Sequence, residues 1–478
     1  MQAYLAAVNT DGETAAEAFR NDHIARAFAE SVPRVPFVGY FTNQRRVMGG
    51  LDLVELRVRN GRTAELLLRD RLYGALHGLE LGFEETPEAR VTTFEPGPAP
   101  LWAPKPKAHL TAGDVGAQAR GLMDRGCRAG VFSGAVLVAK GDEVLFEAAC
   151  GQANRRYGVA NTSRTRLNLG SMNKMFTAIA VMQLVETGQV SLDDPLSKYA
   201  DESWLPAEIG KTITIRHLLR HTSGLGSFLG RDFEKTSRRL YREVADYKPL
   251  VRGETPAFPP GTQFKYSDTG MLLLGVVIEQ ASGETYFDYA RAHIFGPAAM
   301  KDTDSWPMDE PTPDLAMGYG WAPRAPLGWR ENTMAHVFRG TSAGGGYSTV
   351  GDLHRFARAA ERPASLTAFR RGPLGRQPAE QLWRRLHGQR IGRGQDRRTQ
   401  RHLLRDQQPA RDLRREGLHR RHPRQPGLRR ARIGRCHSGC DRRGEVAPYL
   451  PPARMKARMS VESLVRSASR TYIMWPAS

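Results

Sequence analysis

Residues 175–184 read Met-Phe-Thr-Ala-Ile-Ala-Val-Met-Gln-Leu, apolar on nearly every face of a helix. Such a helix has no wet side, so it must run through the middle of a larger packed body. The chain can supply that body: it has 478 residues, 40% of them hydrophobic, room for two or three domains. Directly ahead of the run stand Ser171 and Lys174. Residues three apart share a helix face, so this hydroxyl and this amine can meet. A serine hydroxyl is a weak nucleophile and needs a neighbouring base. Burial disfavours an ammonium and pushes a lysine towards the neutral amine that accepts a proton. Ser-x-x-Lys alone also describes a capped helix with a solvated lysine, so its meaning depends on the residues further along the chain.

The formal net charge of +20 is concentrated in one place. Residues 370–443 hold 23 Arg, no Lys and 6 acidic residues, a net of +17, which leaves only about +3 for the remainder. Bulk charge therefore gives no ground for specific nucleic-acid binding by the chain as a whole. Four cysteines, Cys127, Cys150, Cys436 and Cys440, are too few for a disulfide framework in a chain this long. Cys436-His437-Ser438-Gly439-Cys440 lacks a second ligand pair at zinc spacing, so no metal is expected. No run reaches the ~18 apolar residues of a membrane span. Residues 1–11 lack a basic leader followed by an apolar stretch, which predicts a cytoplasmic protein as written, or a periplasmic or secreted one if a leader lies outside this start.

Taken in order, residues 1–96 read as a small α+β accessory domain. Residues 13–30 have helical spacing, and 51–59, 63–70 and 72–84 alternate as antiparallel strands do. A Pro-rich linker is expected at 97–109. The main domain is expected at 110–365. It opens with an amphipathic helix at 111–124 and a hairpin of 131–138 and 144–150 joined through Gly141-Asp142. The helix behind Ser171 ends near Gly188, and a short helix at 215–220 leads into His221-Thr222-Ser223-Gly224. A loop carrying Tyr266-Ser267-Asp268 opens an apolar helix closed by Ser282-Gly283. The glycine-rich turn Thr341-Ser342-Ala343-Gly344-Gly345-Gly346 precedes a helix capped near its start by Asp352. Residues 366–445 read as an Arg-rich disordered segment and 446–478 as a tail.

Ser171-x-x-Lys174, His221-Thr222-Ser223-Gly224, Tyr266-Ser267-Asp268 and Ser342-Ala343-Gly344-Gly345 stand in the order of the serine β-lactamase-related hydrolases. Over residues 111–360 the chain resembles class C β-lactamases, penicillin-recognising D-alanyl-D-alanine peptidases and their esterase relatives. The resemblance implies an α/β (α+β) fold, with an antiparallel sheet flanked by helices plus a helical lobe and the serine at their junction. It implies acyl transfer without a cofactor, on a small-molecule or peptide substrate. Ser171 would attack a carbonyl, Lys174 would serve as base or relay, and Tyr266 would pass the proton to the leaving group and later activate water. The Ser171 N–H would form half of an oxyanion hole. His221 tempts a Ser-His-Asp reading, but in this family its segment is a structural turn. Oligomeric state is left open.

Two departures matter. Asp268, expected at the substrate, stands where the family more often has Asn. A carboxylate only accepts hydrogen bonds and favours a charged Lys174, which speaks against a true β-lactamase and leaves an esterase or peptidase. The family's third motif, Lys/His-x-Gly on a central strand, is absent in register. Residues 370–443 contain no Val, Phe, Tyr, Lys, Met or Asn, so they cannot build central strands. His437-Ser438-Gly439 fits the letters but lies too late. A coding explanation fits better: with permissible codons, Arg397-Arg398-Thr399-Gln400-Arg401-His402-Leu403-Leu404-Arg405-Asp406 read one nucleotide later becomes V-G-H-S-G-T-F-S-G-I. The hairpin at 131–150 would then lose its neighbouring strands and keep an unpaired edge. The competing class is a non-catalytic remnant whose basic tail binds anions or nucleic acid non-specifically.

Overall fold

The computed structural model describes residues 1–104, 110–322, 325, 328–361 and 471–473. The chain divides into two units, Met1–Gln389 with Lys456–Ser478, and Arg390–Met455; every described residue belongs to the first. The Arg-rich stretch, the shifted-frame motif and Cys436 to Cys440 lie outside the described residues.

The N-terminal part packs four helices, α1 (Gln2–Asn9), α2 (Thr14–His23), α3 (Arg26–Ser31) and α4 (Arg34–Met48), with four strands. These are β1 (Leu51–Val58), β2 (Thr63–Asp70), β3 (Leu76–Phe83) and β4 (Val91–Pro98), antiparallel in that order. The single helix expected over 13–30 is broken, because Ile24 bridges to Val91 and Ala25 N–H donates to Val91 O at 2.9 Å. The fourth strand runs into the stretch expected as a linker. Pro96 and Pro98 are tolerated there because β4 is an edge, where a missing N–H breaks no ladder on the open side. Tyr4, Phe19, Phe37 and Phe41 fill this core against Leu66, Leu68, Leu79 and Leu81.

The chain continues with α5 (Ala112–Arg128), whose Thr111 and Asp114 form a reciprocal capping box. The expected hairpin follows as β5 (Gly134–Lys140) and β6 (Glu143–Cys150). Apart from its terminal Lys140, β5 is buried throughout. Val136 and Val138 pack in the cluster with α5, while Ala135, Leu137 and Ala139 pack with Val350, so both faces are covered and the strand reads as a continuous apolar run. The hairpin edge expected to be unpaired is covered over three residues: β13 (Thr471–Ile473) lies antiparallel to β5, Thr471 opposite Lys140. The open N–H and C=O groups of an edge strand accept any extended segment that reaches them. A Cys127–Cys150 disulfide ties α5 to β6. Four scattered cysteines gave no sign of it, since the pairing arises only when the helix packs across the hairpin.

Short strands β7 (Gln152–Asn154), β8 (Val159–Ala160) and β9 (Leu167–Asn168) lead to α6 (Lys174–Glu186). Helices α7 (Ala207–Thr212), α8 (Ile215–Leu219), α9 (Arg231–Lys235), α10 (Lys248–Val251), α11 (Asp268–Ser282) and α12 (Tyr286–Ala290) form the helical lobe. The hairpin β10 (Tyr319–Trp321) and β11 (Trp329–Glu331), then β12 (Tyr347–Ser348), which pairs with β9, and α13 (Val350–Glu361) follow in the chain. The α6 run from Phe176 to Leu184 packs inside one cluster with α11, Phe295 and Phe356, as its all-round apolar sequence demands. Gly283 ends α11 in the left-handed conformation that favours glycine. Asp352 sits within the first turn of α13, and the cap is Thr349, whose Oγ1 accepts from Asp352 N–H at 3.1 Å.

Candidate active site

Ser171 lies in a single 3₁₀ turn, Gly170–Asn173, that runs directly into α6. Three residues per turn eclipse i and i+3, so this geometry aligns Ser171 with Lys174 more closely than an α-helix would. Gly170 has φ +49°, a conformation glycine adopts without a Cβ penalty. The turn is held by the glycine-rich segment beneath it. Leu169 N–H donates to Gly346 O at 2.7 Å, Gly345 N–H to Gly170 O at 3.1 Å, and Asn173 Nδ2 to Thr341 O at 2.7 Å. Two of the motifs separated in sequence thus form one platform.

Lys174 is 3% exposed. Its Nζ lies 3.2 Å from Ser171 Oγ and 2.9 Å from Asp268 Oδ1, and it also donates to the Ala343 carbonyl. Tyr266 joins the same group, with Lys174 Nζ 4.8 Å from its ring centroid. The structure therefore brings Ser171, Lys174, Tyr266 and Asp268 together.

His221 packs face to face on Tyr266, and its backbone φ is +55°. Its Nδ1 accepts the Ser267 N–H at 3.1 Å, and its carbonyl accepts the Lys265 N–H at 2.9 Å. The histidine thus braces the Tyr266 loop from both ends, consistent with the structural turn expected of its segment. Ser267 caps α11, its Oγ accepting the Gly270 N–H at 2.8 Å.

Three participants escaped the sequence reading. Ser227 Oγ donates to Asp268 Oδ2 at 2.9 Å. Glu254 Oε2 accepts the Gly226 N–H at 2.8 Å, and its Oε1 accepts from Thr269 Oγ1. The Ala343 carbonyl on Lys174 is the third. A lone Ser, a lone Glu and a backbone oxygen carry no periodicity or spacing that could have singled them out. Among the described residues, no group of three or more His, Cys, Asp or Glu side chains is placed to hold a metal ion, and no helix is long and apolar enough to cross a membrane.

The chain is similar to several known proteins. Penicillin-binding protein 4 of Amycolatopsis lactamdurans is 33% identical over 180 residues, covering 37% of this chain and 45% of that protein. Esterase EstB of Burkholderia gladioli is 31% identical over 205 residues, covering 40% of this chain and 52% of the esterase. The chain thus spans about half, or less, of the curated relatives it matches. A penicillin-binding protein structure from Bacillus halodurans aligns with TM-score 0.45 and 35% identity over 50% of this chain and 72% of that one. The beta-lactamase family model matches residues 119–402, more than half of the sequence, and the chain belongs to that family.

Proposed function

We propose that this protein transfers an acyl group through a Ser171 ester. The observation that carries this reading is the bonding of Lys174: one buried Nζ within hydrogen-bond reach of Ser171 Oγ, Asp268 Oδ1 and Ala343 O. Asp268 and the carbonyl can only accept, so they take two N–H bonds. In the neutral form that acylation requires, rather than the resting ion pair with Asp268, an amine placed so points its lone pair at the Ser171 O–H. As Oγ bonds to the substrate carbonyl carbon, that proton passes to Nζ, and the ammonium then donates to all its neighbours. Tyr266 gives its phenol proton to the departing amine or alkoxide as the C–N or C–O bond breaks, and the phenolate takes the proton held by Lys174. Water then attacks the ester, losing its proton to the same relay, and releases the acid with Ser171 restored.

The substrate is an amide or ester, with a lactam third. Asp268 offers an acceptor where an amide side chain would donate, and its charge is matched by Lys174 rather than left for a substrate carboxylate. The sequence carries no in-register third motif, and among the described residues the oxyanion donor we assign is the Ser171 N–H. Acylation is therefore expected to outrun turnover.

The test is intact mass after incubation with a fluorophosphonate, a p-nitrophenyl ester and a penicillin. A single adduct lost in Ser171→Ala supports the reading. An adduct that persists in that variant, or none with any reagent, overturns it.

A further inference from the structure

Both oxygens of Asp268 are engaged. Oδ1 accepts from Lys174 Nζ, and Oδ2 accepts from Ser227 Oγ, each at 2.9 Å. The carboxylate cannot donate, so the Ser227 proton must point at Asp268. The same hydroxyl accepts the Leu229 N–H at 3.3 Å, which fixes its other side.

The loop that carries Ser227 is itself docked on the start of α11. Gly226 O accepts from Ser267 Oγ at 2.9 Å and from Thr269 N–H at 3.4 Å. Glu254 clasps the pair from behind, holding Gly226 N–H with one oxygen and Thr269 Oγ1 with the other. Residues immediately before Ser227 and immediately after Asp268 are therefore tied together, and the separation between the hydroxyl and the carboxylate is set by the scaffold.

We propose that Ser227 is a positioning residue for acylation. Through Asp268 it selects the carboxylate orientation that presents Oδ1 to Lys174, and so fixes the direction in which Nζ faces Ser171 Oγ. This rests on Ser171 being the nucleophile. Proton transfer in the acylation step depends on that direction, because a lone pair aimed away from the serine O–H does not accept its proton. Without Ser227, Oδ2 loses a charge-assisted bond, the carboxylate orientation that presents Oδ1 to Lys174 is held less firmly, and Lys174 keeps the Ala343 carbonyl but loses its oriented partner.

The experiment measures the rate of fluorophosphonate labelling at Ser171 by intact mass, across neutral and mildly alkaline pH. Wild type, Ser227→Ala, Ser227→Thr, Asp268→Ala and the Asp268→Ala/Ser227→Ala double variant are compared. Ser227→Ala is expected to label about 10-fold more slowly, the scale of one hydrogen bond to a charged group, with an altered pH dependence. Ser227→Thr keeps the hydroxyl and is expected within about threefold of wild type. In the Asp268→Ala background, removing Ser227 is expected to change nothing further, because the group through which it acts is gone. Should Asp268→Ala fail to fold, the threonine rescue and the pH dependence still decide. Wild-type labelling in Ser227→Ala, or an undiminished loss in the Asp268→Ala background, overturns the assignment while leaving Ser171 as nucleophile. Absence of labelling in wild type overturns both.

Discussion

The rings of His221 and Tyr266 stack with centroids 4.6 Å apart and planes inclined by 26°. The histidine that could pass for a general base is thereby a brace for the phenol. It also holds a buried backbone N–H of the loop and sits at φ +55°, where branched side chains are strained.

Replacing it tests that role directly. His221→Ala leaves the Ser267 N–H without its acceptor and is expected to cost about 1–3 kcal/mol in urea unfolding. His221→Asn, which accepts a bond and tolerates positive φ, should recover part of that loss, whereas His221→Val should be worse than Ala. A valine variant as stable as wild type would contradict the bracing.

Lys174 and Asp268 form a buried ion pair, with side chains 3% and 6% exposed. Lys174→Met strands a carboxylate and is expected to destabilise by about 3–5 kcal/mol, with labelling at Ser171 abolished. Adding Asp268→Asn should restore much of the stability but none of the labelling. Denaturation curves and intact mass on the two variants separate the structural cost from the chemical one.

Gly344 is a tight point. A Cβ there would stand 3.0 Å from the Gly170 carbonyl oxygen and 3.6 Å from the Ser171 nitrogen, at φ +156°. Gly344→Ala should displace the Ser171 turn and slow labelling by about tenfold or more, the cost of a small misplacement of reacting groups. Labelling at the wild-type rate would mean that the platform yields without moving the serine.

Burial holds the His336 imidazole below its ordinary range. The folded state then binds its proton less readily than the unfolded chain does. Stability tied to this residue is present above the ordinary histidine value near 6.5 and is lost as pH falls through the depressed folded value. His336→Gln should flatten that part of the stability profile, as followed by thermal unfolding between neutral and mildly acid pH. A profile unchanged by the substitution would clear His336 of the effect.

The coding hypothesis makes its own prediction. The gene under Arg397 to Asp406 is expected to use codons that read V-G-H-S-G-T-F-S-G-I one nucleotide later, and a chain carrying that reading should turn over an ester faster than the present chain does. Obligatory codons incompatible with the shifted string would end the idea.

Much of the fold was legible. The hairpin of β5 and β6 and the helices around Ser171 and Asp268 follow from apolar pattern, glycine turns and caps, which act between near neighbours. The N-terminal part was only half readable. The break between α2 and α3 comes from Ile24 pairing with Val91, and β4 hides in a proline-rich stretch that only an edge position tolerates.

The sequence alone determined that Ser171 and Lys174 meet, because they are one helical turn apart and any helix there brings them together. It also determined the family, through motifs whose order survives without any contact being known. Only the tertiary structure decided what holds the lysine. Asp268 is 94 residues away, the Ala343 carbonyl 169, and the Ser227 hydroxyl reaches Asp268 across 41. Such bonds are made by the packing of α6 against α11 and the glycine-rich turn. Hydrophobic spacing specifies that those elements meet, but not which polar atoms face one another when they do.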